Sequence, residues 1–229
     1  MTTFALVHGA YHGAACWDLL LPELEARGHS AVTMDLPADD PDAGVDAYAD
    51  AVIEALKGSG PDVVVVGHSM GGLTIPVVAD RRPERRLVFL AALLNEPGRS
   101  GIEVLAGYPD GSINPEMANS GIDNGDGTAS MPRDLAIDVF YHDCDAELAS
   151  WAVSVLRPQS WKIVSEPSPI SAWPSVPQTY IACQDDRTLT VDFQRALATD
   201  RGMELLELPG SHSPFLSRPA ALADMISSL

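Results

Sequence analysis

The chain has 229 residues, 46% of them hydrophobic and 20% charged, and its 14 basic against 32 acidic residues give a formal net charge of −18. That length suits one domain with a sizeable core, and the longest apolar run, Leu87–Leu94, is far short of a membrane span. The acidity excludes nucleic acid and anionic membrane as partners, because both require a basic face. The N-terminus has no basic n-region and no cleavage site, so the chain reads as cytoplasmic. Three widely spaced cysteines, Cys16, Cys144 and Cys183, form no metal-ligand or disulfide pattern and read as buried inert thiols.

Strands and helices alternate from the start, the pattern of a parallel sheet covered on both faces. Phe4–Val7 is the first strand. Trp17, Leu20, Leu21 and Leu24 stripe one face of a helix that Gly28 ends. Ala31–Met34 reads as the second strand. Val45, Tyr48, Val52 and Leu56 stripe the next helix, which stops at Gly58-Ser59-Gly60-Pro61. The apolar strand Val63–Val66 follows, and then a helix over about 70–80 in which Pro76 removes a backbone hydrogen bond without evident reason.

Leu87–Ala91 is a further strand, after which the alternation stops. Residues 95–177 are expected to be an insertion, with 1–94 and 178–229 as the α/β core. Within the insertion, Asp123-Asn124-Gly125-Asp126-Gly127 marks a hairpin or loop. Its likeness to a calcium loop fails at Gly125, which stands where a ligand is needed. Leu148, Trp151, Ala152 and Val155 stripe a helix. The alternation resumes with strand Gln178–Cys183, helix Thr190–Ala198, strand Met203–Leu208 and a last helix capped by Ser217.

Gly67-His68-Ser69-Met70-Gly71 lies directly between an apolar strand and a helix. That is the setting of a Gly-x-Ser-x-Gly nucleophile elbow, in which a serine at φ > 0 projects its Oγ above the sheet edge. A serine hydroxyl needs a general base, and the base needs an orienting carboxylate. In α/β-hydrolases these follow in the order Ser, Asp or Glu, His, on loops after strands. Of the six histidines only His212 lies after the last strand. The acid is Asp186 or Asp185, after strand Gln178–Cys183, with Glu96 as the other candidate. Two backbone donors are needed for the oxyanion: the N–H of Met70 and, from the first loop, that of Ala10. This loop lies so near the N-terminus that the two preceding antiparallel strands of the full fold have no room. Six parallel strands are therefore expected.

Leu6-Val7-His8-Gly9-Ala10-Tyr11-His12-Gly13 with Trp17, Gly67-His68-Ser69-Met70-Gly71-Gly72, and Asp192-Phe193-Gln194 together resemble one branch of the α/β-hydrolases. It holds plant hydroxynitrile lyases, salicylate and jasmonate methylesterases, and bacterial esterase relatives, and the resemblance runs nearly end to end. It implies that Asp186, seven residues before Phe193, is the acid, that His212 is the base, and that Ala10 and Met70 supply the oxyanion donors. It also implies a cap with a small hairpin over the site, no cofactor or metal, and close homodimers. Lyases of this fold carry a Lys after the catalytic His and a Thr after the first loop's His. Here Ser213 and Gly9 stand at those positions, and the two lysines, Lys57 and Lys162, lie far from every site loop.

The expected function is that of a serine carboxylic ester hydrolase, acting on a small hydrophobic, aryl or methyl ester through an acyl-enzyme. The alternatives are a hydroxynitrile lyase-type carbon–carbon lyase and a non-catalytic small-ligand receptor. Phe140, Tyr141, Trp151 and Trp161 are read mainly as packing of the insertion, and Tyr11 and Phe215 as pocket walls.

Overall fold

The computed structural model describes every residue except Pro83, and for Ala118 the backbone alone. Five parallel pairings join six strands: β1 (Thr3–Val7), β2 (Ser30–Thr33), β3 (Val63–His68), β4 (Arg86–Leu90), and two later strands, Gln178–Cys183 and Glu204–Leu208. The spatial order runs β2-β1-β3-β4, then Gln178–Cys183, then Glu204–Leu208 at the edge. β3 is buried along its whole length. Four successive valines suit a strand covered on both faces, where side chains of either parity need an apolar neighbour.

The helices alternate with these strands. α1 (Leu20–Ala26) packs against the C-terminal helix on one side of the sheet, and α2 (Val45–Ala55) packs against α3 (Ile75–Arg81). Trp17 lies in a separate short 3₁₀ turn, Ala14–Trp17, so the expected first stripe is divided between two elements. The stretch after β3 is divided as well. Ser69–Leu73 is a 3₁₀ turn, and the α-helix starts afresh at Ile75. Pro76 thus falls in the first turn of α3, where an N–H has no intrahelical partner, and its presence is explained.

Residues 95–177 carry α4 (Gly101–Leu105), α5 (Pro115–Asn119), β5 (Ile122–Asp123), β6 (Thr128–Ser130), α6 (Arg133–Phe140), α7 (Ala146–Ser154), β7 (Gln159–Ser160) and α8 (Lys162–Ser165). The expected hairpin is β5–β6, and β7 extends it into a three-stranded antiparallel sheet. The loop carboxylates stabilise its turn: Asp123 Oδ1 accepts from Gly125 N and Asp126 Oδ1 from Thr128 N.

The chain then returns to the large sheet through β8 (Gln178–Cys183), α9 (Val191–Asp200), β9 (Glu204–Leu208), α10 (Pro214–Ser217) and α11 (Pro219–Ser227). Ser217 ends α10 and does not cap the last helix. Arg218 occupies that position and Pro219 opens α11, its fixed φ suiting a helix start. Among the described residues no helix is long and apolar enough to cross a membrane.

Because β2 and β3 flank β1 on opposite sides, the strand order reverses there. In an open parallel sheet that reversal leaves a crevice beyond the carboxyl ends of the strands. The loop after β1 and the turn after β3 both open into it.

Candidate active site

Ser69 sits at the end of β3 with φ +51°, the left-handed conformation that its sequence setting requires. The turn is tight because Gly71 passes against β1. A Cβ on Gly71 would stand 2.7 Å from His8 O and 2.8 Å from Val7 O, and only glycine fits.

His212 follows β9 and is 1% exposed. Its Nδ1 lies 2.7 Å from Asp186 Oδ2. A nitrogen facing a carboxylate is the protonated one, so Nε2 is left as an acceptor, and Nε2 has no hydrogen-bond partner among the described residues. The ring stacks on Phe140 at 5.6 Å and tilts against His68 at 4.7 Å. His68 also holds its main chain, donating from Nε2 to His212 O at 2.9 Å.

The Asp186 side chain is fully buried, a costly place for a carboxylate unless its lone pairs are used. Oδ1 accepts from Thr188 N at 2.7 Å and Leu189 N at 3.0 Å, while Oδ2 accepts from Gln194 Nε2 at 2.9 Å as well as from His212. Gln194 is itself fixed, with its Oε1 accepting from Cys183 N. The sequence marked Gln194 through the family resemblance but gave it no task; its task is to satisfy the carboxylate. Asp185 faces elsewhere. Its Oδ2 accepts from Gly210 N, and its own N–H donates to Gly210 O, which ties the loop after β8 to the loop after β9. Glu96 pairs with Arg99 and Arg201, away from His212.

Ala10, Ser69 and Met70 line one cavity of about 290 Å³. Met70 is the second residue of the 3₁₀ turn, where N–H groups lack intrahelical acceptors, and the Ala10 N–H makes no hydrogen bond among the described residues. The peptide bearing the Ala10 N–H is gripped from behind, since His8 Nδ1 donates to Gly9 O at 2.9 Å and His8 Nε2 accepts from Leu36 N.

The other cavity walls are Leu93, Ile102, Leu105, Ile113, Met117, Trp161, Val164, Thr188 and Leu189. No cationic side chain is among them, and the Thr188 hydroxyl is committed to Val139 O. The expectation that Tyr11 and Phe215 form pocket walls is corrected. Tyr11 packs edge-on against Trp161 and Phe215 packs under His68 and Trp17, so both lie behind the cavity surface. Of Phe140, Tyr141, Trp151 and Trp161, only Trp161 lines the cavity.

Behind the site lie three buried histidines, His8, His12 and His68. Burial pushes His8 down to about 4 and His12 down to about 3, and holds His68 well below the usual imidazole range. The loss of hydration outweighs the hydrogen bonds to backbone carbonyls and, at His8, the charge of Asp35, so all three are neutral at pH 7.

The sequence profile described as the alpha/beta hydrolase family matches residues 4–225. Among curated proteins, the chain is 28% identical to Methylesterase 2 of Arabidopsis thaliana, covering 99% of this chain and 95% of that one. It is 31% identical to the alpha-hydroxynitrile lyase of the same plant, covering 99% and 96%. Among solved structures, a pyrethroid hydrolase from Sphingobium faniae superposes with a TM-score of 0.85 at 28% identity, covering 99% of this chain and 96% of that one.

Proposed function

Since the chain belongs to the alpha/beta hydrolase family, we propose that it is a serine ester hydrolase with Ser69 as nucleophile, His212 as general base and Asp186 as the orienting acid. The observation that carries this reading is the Asp186–His212 pair. It turns Nδ1 of His212 to the carboxylate and leaves Nε2 without a partner among the described residues, while Ser69, at positive φ, lines the cavity with Ala10 and Met70.

His212 Nε2 takes the Ser69 proton as Oγ attacks the ester carbonyl. The negative oxygen is met by the Ala10 and Met70 N–H groups, and donors held in place before the reaction cost no reorganisation during it. Collapse of the tetrahedral adduct breaks the bond to the alkoxy group, and His212 protonates the departing alcohol. Water, deprotonated by the same nitrogen, then attacks the acyl-enzyme, releasing the acid and returning the proton to Ser69. The wall of Leu, Ile, Val, Met and Trp side chains supports a small hydrophobic, aryl or methyl ester as substrate.

The 31% identity to a hydroxynitrile lyase raises a second reading, cyanohydrin cleavage. Three features favour the esterase: Ser213 follows His212, Gly9 leaves no side chain at the first-loop position, and among the described residues no cation lines the cavity to receive cyanide. Fluorophosphonate labelling and hydrolysis of short p-nitrophenyl esters test the proposal. Ser69→Ala is expected to abolish both. Ester turnover that survives this change would sink the serine mechanism, and cyanide release from mandelonitrile would revive the lyase.

A further inference from the structure

We propose that Tyr141 and His12 form a positioning pair that sets the direction of the Ala10 N–H, holding one half of the oxyanion site from the side away from the cavity. The inference rests on the reading of Ala10 as an oxyanion donor.

The Ala10 N–H belongs to the Gly9–Ala10 peptide. That peptide's carbonyl accepts from His8 Nδ1 at 2.9 Å and from His12 N at 3.4 Å. In a trans peptide the N–H points opposite to the carbonyl, so a grip on Gly9 O aims the Ala10 N–H the other way. One peptide alone does not fix the loop, because rotation about the Ala10 Cα would still swing it. The next carbonyl, Ala10 O, is held by His12 Nδ1 at 2.7 Å. Both peptide planes flanking the Ala10 Cα are therefore anchored by histidine side chains.

The His12 anchor works in only one tautomer. Nδ1 faces a carbonyl, so it must carry the proton. The ring is neutral, so Nε2 must accept. The group at Nε2 is Tyr141 Oη, 2.9 Å away, and it therefore donates. Tyr141 is 1% exposed and immediately follows α6. His12 is 2% exposed and enclosed by the rings of His68, Phe140, Tyr141 and Phe215. The Tyr141 hydroxyl thus selects the His12 tautomer, and the tautomer sets the Ala10 peptide. Residues 95–177 therefore contribute to the oxyanion site without touching substrate.

An oxyanion donor acts on charge that exists only in the transition state, so a misaligned donor lowers kcat and leaves KM in place. Losing such a donor outright costs about 10²–10³ in kcat. A donor that is present but loosened should cost less, about 10-fold.

The test measures Tyr141→Phe, His12→Asn and His12→Leu on a p-nitrophenyl ester, with kcat counted per fluorophosphonate-titrated site so that misfolded protein does not enter. Affinity for an alkyl boronic acid, which forms a tetrahedral adduct on the serine, is measured beside KM. Tyr141→Phe is expected to lower kcat and boronate affinity in parallel by about 10-fold, with KM within twofold. His12→Asn keeps a donor at the Nδ1 position and should retain more kcat than His12→Leu. If Tyr141→Phe leaves kcat per titrated site and boronate affinity within twofold of the parent, or if KM alone moves, the positioning pair is wrong. If the parent enzyme shows no Ser69-dependent ester hydrolysis, the failure lies instead with the reading of the site.

Discussion

Gly9 and Ser69 meet where the strand order reverses: a Cβ on Gly9 would stand 2.7 Å from Ser69 Cβ and 2.9 Å from His68 Nδ1. The loop after β1 and the turn after β3 thus pack so closely that the position where lyases of this fold hold a threonine has no room for any side chain.

Gly9→Ala and Gly9→Thr should therefore displace the serine or the Ala10 loop. A 1 Å misplacement of a reacting group costs about 10²-fold in rate, and a loss of that order in kcat/KM is expected for both, larger for threonine. Steady-state kinetics on one ester checks it. Activity within threefold of the parent for Gly9→Thr would show that the contact relaxes freely.

Asp186 and Asp185 are adjacent in sequence, yet only Asp186 reaches His212. Asp186→Asn should lower kcat by about 10⁴, because the amide lets His212 adopt the wrong tautomer. Asp185→Asn, which alters only the tie to Gly210, should keep at least a third of the parental rate. Equal losses in the two variants would overturn the assignment of the acid.

Stability should fall steeply below neutrality. His8 is held at about 4 and His12 at about 3, with His68 also depressed, whereas in the unfolded chain each takes up a proton near 6.5. Between those limits the unfolded state binds more protons, so unfolding free energy decreases as pH drops from about 6.5 toward 4. Each histidine contributes up to about 1.4 kcal/mol per pH unit, and the three together roughly 4 kcal/mol per unit. Urea unfolding at pH 7, 6 and 5 measures the slope. A free energy that stays flat across that range would show that the rings are not neutral and buried.

Glu166, just past α8, accepts a hydrogen bond from Val45 N and so caps α2, where Gly44 offers no side chain. Nearby, Lys162 Nζ donates to Asp42 O. Loss of such a cap costs about 1 kcal/mol, or a 2–4 °C fall in melting temperature for a chain of this size. Glu166→Ala should show that fall by calorimetry with kcat per titrated site unchanged. A melting temperature that does not move would mean that water replaces the carboxylate.

Much of this arrangement was legible in the chain. Apolar runs such as Val63–Val66 announce buried strands, because a short run of β-branched residues suits a strand covered on both faces. The glycines around Ser69 announce the elbow, because a side chain at Gly71 would strike β1. His212 was recognisable by its place after the last strand. Less legible were features that arise between distant segments. Helix breaks after Trp17 and after Leu73 escaped because periodicity reads through a change of helix type, and Pro76 only made sense once the second break was known.

What the sequence by itself determined is the order of strands and helices, the serine with its conformation, and the histidine that follows β9. These rest on local rules: side-chain branching, the steric needs of a tight turn, and position along the chain. The family spacing from Phe193 also singled out Asp186, but the tertiary structure decided what satisfies that carboxylate, which aromatics reach the cavity, and how Tyr141, 129 residues from His12, selects that ring's tautomer. Such choices follow from burial and hydrogen-bond satisfaction among groups brought together only by the fold, and spacing along the chain carries no record of them.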